Sequence, residues 1–320
     1  MRKRTKQRAT KKPAVSVVIV SDYASGGTTA WNDVRATLRA LAIQNFKEPV
    51  EFILSENTEY KKQIPRDLTK ILPSLKTILS SAASSYGLKN EGVRAAAADI
   101  VALIDADCVP GADWLQRLVD VMRNNPSVAA VSGRTTYAGR NFLERAMALL
   151  SRSYLDPGRA GSTRYISNNN AAYRRTVYLA HPLPIGVSPF AARMQAEAIL
   201  RDGGRLLFEP RMHVIHNYDG WAMEGDIRRN AGYGTVAIRF HDQTLPYAWL
   251  VRMGYASIPF FFAGLVLKSW WDCFRCNSQY GIRWHELPAA LGLAVVVNIM
   301  EIPGMLRALS GGEITETAYR

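Results

Sequence analysis

Between Val15 and about Pro210, short apolar runs rich in β-branched residues alternate with stretches of helical period. Val15–Val20, Val50–Leu54, Leu75–Leu79, Ile100–Ile104 and Val128–Ser132 each have the length and composition of a buried strand. Between the first two, Trp31–Gln44 sets Val34, Leu38, Leu41 and Ala42 on one face, and Glu91–Ala98 and Ala112–Asn124 also read as helices. Strands that alternate with helices in this way predict an α/β domain with a mostly parallel sheet flanked by helices.

The last quarter changes character. Met253–Leu267 carries no charge, is bounded by Arg252 and Lys268, and has Trp249, Trp270 and Trp271 at its flanks. A second apolar stretch, Leu287–Leu306, is interrupted by Asn298 and Glu301. The first falls short of the roughly 20 residues that cross a bilayer, but snorkelling basic residues and an aromatic belt extend such a segment. We therefore expect two membrane-embedded helices, or a hairpin dipping into one leaflet. The competing expectation is a pair of hydrophobic helices packed on the soluble domain or on a second subunit. Asn298 and Glu301 favour it, since an acid in lipid is costly. The pattern divides the chain into a basic disordered tail at 1–13, an α/β domain at 14–216, an amphipathic interface region at 217–246, the hydrophobic helices at 247–306 and a tail at 307–320.

Composition narrows the classes. The 320 residues are 48% hydrophobic, enough for a substantial core, and carry a net charge of +13. Much of that excess is crowded into Arg2, Lys3, Arg4, Lys6, Arg8, Lys11 and Lys12. A basic tail without a basic helical stripe or a recognition motif argues against a nucleic-acid partner. Val15–Val20 is too short for the apolar region of a secretory signal, so none is expected. Cys108, Cys273 and Cys276 form no disulfide framework, and Cys273 and Cys276 lack the second ligand pair of a zinc site. Sparse cysteine suits a reducing cytosol.

Chemistry enters where the Ile100–Ile104 strand ends. Asp105-Ala106-Asp107 follows it, and Pro110-Gly111 then breaks the pattern. Acids two apart at a strand end project the same way and can face one ligand. A divalent cation holding a diphosphate fits, because Mg2+ and Mn2+ favour one or two carboxylates plus phosphate oxygens. A solvated turn after a core strand is the plainer reading of the same residues.

Val15–Val20, then Glu51–Glu56, then Lys89-Asn90-Glu91-Gly92, then Asp105-Ala106-Asp107, in that order and spacing, resemble family 2 glycosyltransferases of the GT-A fold. The resemblance covers about residues 14–216 and is most specific between Lys89 and Asp107. It implies a Rossmann-like, mostly parallel sheet with a nucleotide sugar at the carboxyl ends of its strands, plus the C-terminal hydrophobic helices read above. It also implies that Glu56 contacts the nucleoside and that Lys89 and Asn90 serve the donor. Asp107 becomes the metal ligand, with Asp105 on the ribose or the metal, His216 joins the metal shell, and Gly92 permits close packing. Asp22 or Tyr23, in a departure from the family's usual first-strand exit, is a further base contact. Asn168, Asn169 and Asn170 resemble an acceptor-side segment, and Glu197 stands where a general base is expected, although the family's acid pair is missing there. Arg228, in a helix start after the domain, is suited to a lipid acceptor's phosphate.

The implied activity is metal-dependent (Mn2+ or Mg2+) inverting transfer of one sugar from a nucleotide sugar to a glycan or lipid-linked hydroxyl. The absence of Gln-x-x-Arg-Trp argues against processive synthesis. The enzyme is expected at a bacterial inner membrane, with a cytosolic catalytic domain and a role in cell-envelope polysaccharide. Arg275 and Arg283 give no clean inside–outside contrast. The alternatives are a nucleotidyltransferase, which shares the paired acids, and a catalytically degenerate membrane-associated scaffold.

Overall fold

The computed structural model describes residues 12–21, 31–139, 141–187, 190–216 and 220–313. In chain order the strands and helices begin with β1 (Val15–Val20), α1 (Asn32–Ala42), β2 (Val50–Asn57), α2 (Leu68–Ile71), β3 (Leu75–Ser80), α3 (Ser85–Ala95), β4 (Ile100–Asp105), β5 (Cys108–Pro110) and α4 (Trp114–Asn124). They continue with β6 (Val128–Tyr137), α5 (Phe142–Arg152), β7 (Gly161–Ser162), β8 (Asn170–Arg174), α6 (Arg175–Ala180), α7 (Ala191–Arg201) and β9 (Arg205–His216). Four helices close the chain: α8 (Trp221–His241), α9 (Ile258–Cys276), α10 (Leu287–Ile299) and α11 (Ile302–Leu309).

The sheet runs β3-β2-β1-β4-β8-β6-β9-β5, with β7 also paired to β9. It is parallel through β3-β2-β1-β4 and between β6 and β9, and β8 is inserted antiparallel between β4 and β6. Burial on both faces explains the unbroken apolar strands. Val15, Val17 and Ile19 of β1 join Ile100, Ala102 and Ile104 of β4 in a core shared with α1 and α4. Val18, Val20, Val101 and Leu103 face the opposite core, which α3, α6 and α7 close. The architecture is the α/β sheet with flanking helices expected from the pattern.

One helix boundary moved in a way that bears on the site. The alanine-rich helix starts at Ser85, six residues before the expected Glu91, because the Ser84 side chain caps it by accepting from Gly87 N. Gly92 therefore lies in the last turn of α3, not at its start, and there it lets the helix touch β1. A Cβ at 92 would stand 2.2 Å from Val18 Cγ1. Gly92→Ala is expected to cost about 1–3 kcal/mol through overpacking. Urea unfolding reads this, and an unchanged midpoint would show that α3 can draw back at no cost.

The C-terminal helices are bolted to the sheet domain at one end and to α8 at the other. Cys273, Cys276, Leu287 and Ala290 share a core with Ala146, Met147 and Leu149 of α5 and with Tyr137 at the end of β6. At the other end, Val236 of α8, Phe261 of α9 and Met305 of α11 form a separate cluster. The backbones of α8 and α11 touch: a Cβ on Gly232 would lie 1.9 Å from Glu301 O, and one on Gly304 1.8 Å from Arg229 O. The polar residues that interrupt the second apolar stretch are consumed inside the protein. Asn298 donates to Ser269 Oγ at 3.1 Å and to Ala294 O at 2.6 Å, and Glu301 pairs with Arg228 at 3.4 Å. Two stretches, Ala248–Cys276 and Trp284–Leu309, are long and apolar enough to meet a membrane, and only 28% and 39% of their most apolar windows are buried.

Candidate active site

Parallel pairing brings the carboxyl ends of β1, β2 and β4 to one edge. Val20 lies in register with Ser55 on one side and Asp105 on the other. Glu56, one residue on, is fully buried, accepts from Ser21 Oγ, and accepts from Asn57 N at 2.7 Å. Burial raises its pKa against the lowering effect of those two bonds. The expected base contact, Asp22 or Tyr23, lies outside the described residues.

The two acids of Asp105-Ala106-Asp107 part company. β4 ends at Asp105 and a turn follows, so strand alternation does not carry through to Asp107. Asp105 turns to α3, where buried Lys89 Nζ lies 2.7 Å from Oδ1. Burial raises Asp105 against the pull of Lys89, and the Asp107 charge adds to the rise. Asp107 turns the other way, to His216 Nε2 at 3.3 Å. The expectation that both acids face one ligand in the same way is corrected: Asp107 belongs to the candidate metal centre, and the Lys89 pairing takes Asp105 out of it. Lys89 is itself buried, and its ammonium is paired with Asp105.

His216 is placed by three strands. It lies directly opposite Cys108 across β5 and β9, and opposite Tyr137 across β6 and β9. Its ring centroid is 5.6 Å from that of Tyr137, over which Arg152 sits at 5.9 Å. Donor atoms of Asp107, Cys108 and His216 all lie within 4.8 Å of one another. Cys108 Sγ donates to Asp107 Oδ1 at 3.6 Å, and burial, then the nearby acids, pushes its thiol pKa well up. Carboxylate, imidazole and sulfur fit a transition ion such as Mn2+ better than Mg2+, which prefers an all-oxygen shell.

Several expected ligands are structural ties. Asn90 donates to Leu183 O at 2.8 Å and accepts from Leu183 N and from Tyr178 Oη, so its amide pins α3 to the chain after α6 and is not available to the donor. Asn170 accepts from Trp114 Nε1 and donates to Arg134 O and Met212 O, which uses its whole amide. Asn169 accepts from Ser167 and Thr135, and Asn168 accepts from Tyr173; all three asparagines are buried. For Asn170 the acceptor-side reading is therefore corrected, because its amide closes a buried turn before β8, whereas the Nδ2 of Asn168 is buried without a hydrogen-bond partner among the described residues. Arg228 is likewise buried, held by Glu224 at 2.6 Å, by Glu301, and by Ser151 Oγ at 2.8 Å, so it is not a surface site for phosphate.

Glu197 is corrected by distance. It pairs with Arg164, which follows Thr163, and Thr163 N donates to Leu206 O. Leu206 lies opposite Ala130 on β6, whereas His216 lies opposite Tyr137, seven residues further along that strand. Seven strand residues span about 23 Å, which puts Glu197 toward the wrong end of the sheet for a base beside Asp107. What the sequence did not disclose is Cys108 as a neighbour of His216, and a recess beside the β6 end lined by Arg134, Arg152, Asp156, Ser167 and Tyr280. There Asp156 holds Arg134 Nε at 2.6 Å. These residues come from separate segments, and no spacing signals them.

Residues 16–180 match the family model described as Glycosyl transferase family 2, just over half of the 320 residues. The chain belongs to glycosyltransferase family 2. The family 2 enzyme also resembles solved structures, among them the mannosyltransferase PcManGT from Pyrobaculum calidifontis in complex with GDP-Man and Mn2+. That match has a TM-score of 0.60 at 17% identity and covers 95% of this chain and 89% of the other. At such identity it shows the fold alone, but coverage of this extent carries the likeness through the C-terminal helices as well as the sheet. No curated protein matches the sequence. Membership makes this chain a glycosyltransferase that draws on a nucleotide-sugar donor.

Proposed function

We propose that this glycosyltransferase is metal-dependent and inverting, and that it moves a single sugar from a nucleotide sugar to the hydroxyl of a glycan or lipid-linked acceptor at a membrane. The observation that carries the metal-dependent reading is the meeting of Asp107 and His216, beside Cys108, at the carboxyl edge where open α/β sheets bind ligands. Asp107 and His216 would hold the ion. When bound, it would act as a Lewis acid for the charge on the departing diphosphate. Asp105, fixed by Lys89, serves the ribose side, and Glu56 with Ser21 serves the nucleoside side. In the displacement the acceptor oxygen bonds to the anomeric carbon opposite the leaving oxygen, the carbon–oxygen bond to the diphosphate breaks, and the hydroxyl proton of the acceptor is released to solvent. The residues contribute chiefly position and fixed charge.

The catalytic domain would face the cytosol, where nucleotide sugars are made, at a bacterial inner membrane. Purified protein incubated with a panel of nucleotide sugars and Mn2+ or Mg2+ tests the reading, with GDP-mannose, the donor in the fold neighbour, tried first. Release of nucleoside diphosphate that requires the metal is expected. Pyrophosphate release from a nucleoside triphosphate, or metal-independent turnover, would overturn it.

A further inference from the structure

The exposed large apolar side chains are not spread evenly. Trp249, Tyr255, Leu267, Trp271 and Trp284, each at least 58% exposed, all lie on the segment from α8 onward. Of the acids in this region Glu224, Asp226, Asp272, Glu286 and Glu301 are ion-paired, and Asp242 accepts from Thr244. Exposed Arg252, Lys268, Arg283 and Arg307 stand beside Trp249, Leu267, Trp284 and Leu306. An apolar, aromatic face edged by basic residues fits an anionic lipid surface.

The connectivity decides how deep such a face can go. The turn between α9 and α10 is fastened to the sheet domain, where Arg145 donates to Gly281 O at 3.1 Å and pairs with Glu286 at 2.6 Å, and Arg275 donates to Ser153 O at 3.2 Å. The other end of the pair is where α8 leads in and α11 leads out, and these two helices touch along their backbones. If α9 and α10 crossed a bilayer from that fastened turn, α8 would have to cross with them. It carries Glu224, Asp226, Arg228, Arg229 and Arg239, too many charges for hydrocarbon. Within α9 itself, the uncharged residues before Lys268 run only from Ile258 to Leu267. They reach about 15 Å, half of a bilayer core of about 30 Å.

We propose that α8–α11 form a platform that seats in one leaflet of an anionic membrane without crossing it. Tyr137 belongs to the core that joins α9 and α10 to α5, and its ring lies against His216. The candidate metal centre is thus one side chain away from the platform, and an acceptor held in that leaflet can reach it. This deepens the membrane part of the proposed function and rests on it.

The test uses the full chain and sealed vesicles of phosphatidylcholine, with or without phosphatidylglycerol. Flotation with the anionic vesicles is expected to exceed that with neutral ones by about tenfold or more, as several basic residues at the surface require. Arg252→Cys and Arg283→Cys variants, at opposite ends of α9, are both expected to react from outside with a membrane-impermeant maleimide; the native cysteines are buried. If either reacts only after detergent is added, the platform spans and the inference fails, while flotation keeps the membrane reading. If wild-type protein does not float on anionic vesicles, or floats equally on neutral ones, the lipid surface is the wrong partner. Diphosphate release in detergent then reports on the glycosyltransferase reading separately.

Discussion

Asp107→Asn is expected to lower kcat/KM by about a thousandfold while the protein stays folded. The magnitude follows from losing a carboxylate ligand to the proposed ion, which would contribute several kcal/mol at the leaving group, at about 1.4 kcal/mol per tenfold. The amide keeps the size of the carboxyl, and Lys89 and Asp105 retain each other on the far side of the turn. Thermal unfolding in the presence of Mn2+ separates the two effects. Wild-type protein should be stabilised by the ion and the variant should not, with similar midpoints when metal is chelated. Activity within tenfold of wild type would mean that the Asp107–His216 centre holds no catalytic ion.

Lys89→Met is expected to be the most destabilising of the site substitutions, by about 3 kcal/mol. Removing one partner of a buried ion pair leaves the other charge uncompensated, which costs about 3–5 kcal/mol. The lower figure applies because the Asp105 side chain keeps 20% of its exposure and can take up a proton. The sign with pH follows from the same group. Asp105 already has a raised pKa in the folded protein, and the variant raises it further. An acid raised on folding favours the native state at low pH and disfavours it as pH rises through the folded value. The deficit of the variant should therefore shrink on acidification. Adding Asp105→Asn to Lys89→Met should recover much of the loss, since the stranded charge is then gone. Guanidinium unfolding at two pH values reads both expectations, and a deficit independent of pH would show that Lys89 acts through packing alone.

Strands β1 and β4 could be read from the sequence because each is buried on both faces, so an unbroken apolar run is itself the signal, whereas the edge strand β3 is largely exposed and shows only Leu75, Ile78 and Leu79. Helix α3 was read late because its first two turns contain Lys89 and Asn90, polar residues that its burial pattern does not exclude but its periodicity cannot announce. In the site, Asp107 was legible as a strand-end acid and His216 from the family resemblance. Asn90, Asn170 and Arg228 were misread for one reason. A polar side chain consumed by buried partners has the same letter as one facing a ligand, and the partners of Arg228 and Asn90 lie up to 77 and 93 residues away. Glu197 kept the right place in the sequence frame but landed near the start of β9, and only the register of β6 against β9 shows that. Cys108 was invisible until β5 closed against His216.

The Arg228–Glu301 contact also bears on how the protein can be divided. A soluble version made by cutting before α9 would remove Glu301 and the backbone that covers Gly232, leaving α8 with a buried cation short of one partner and an open seam along one face. It would also strip α5 and Tyr137 of the side chains that finish their core. The sheet domain and the C-terminal helices are therefore one folding unit written as two compositions, and neither can be expected to survive as a module without the other.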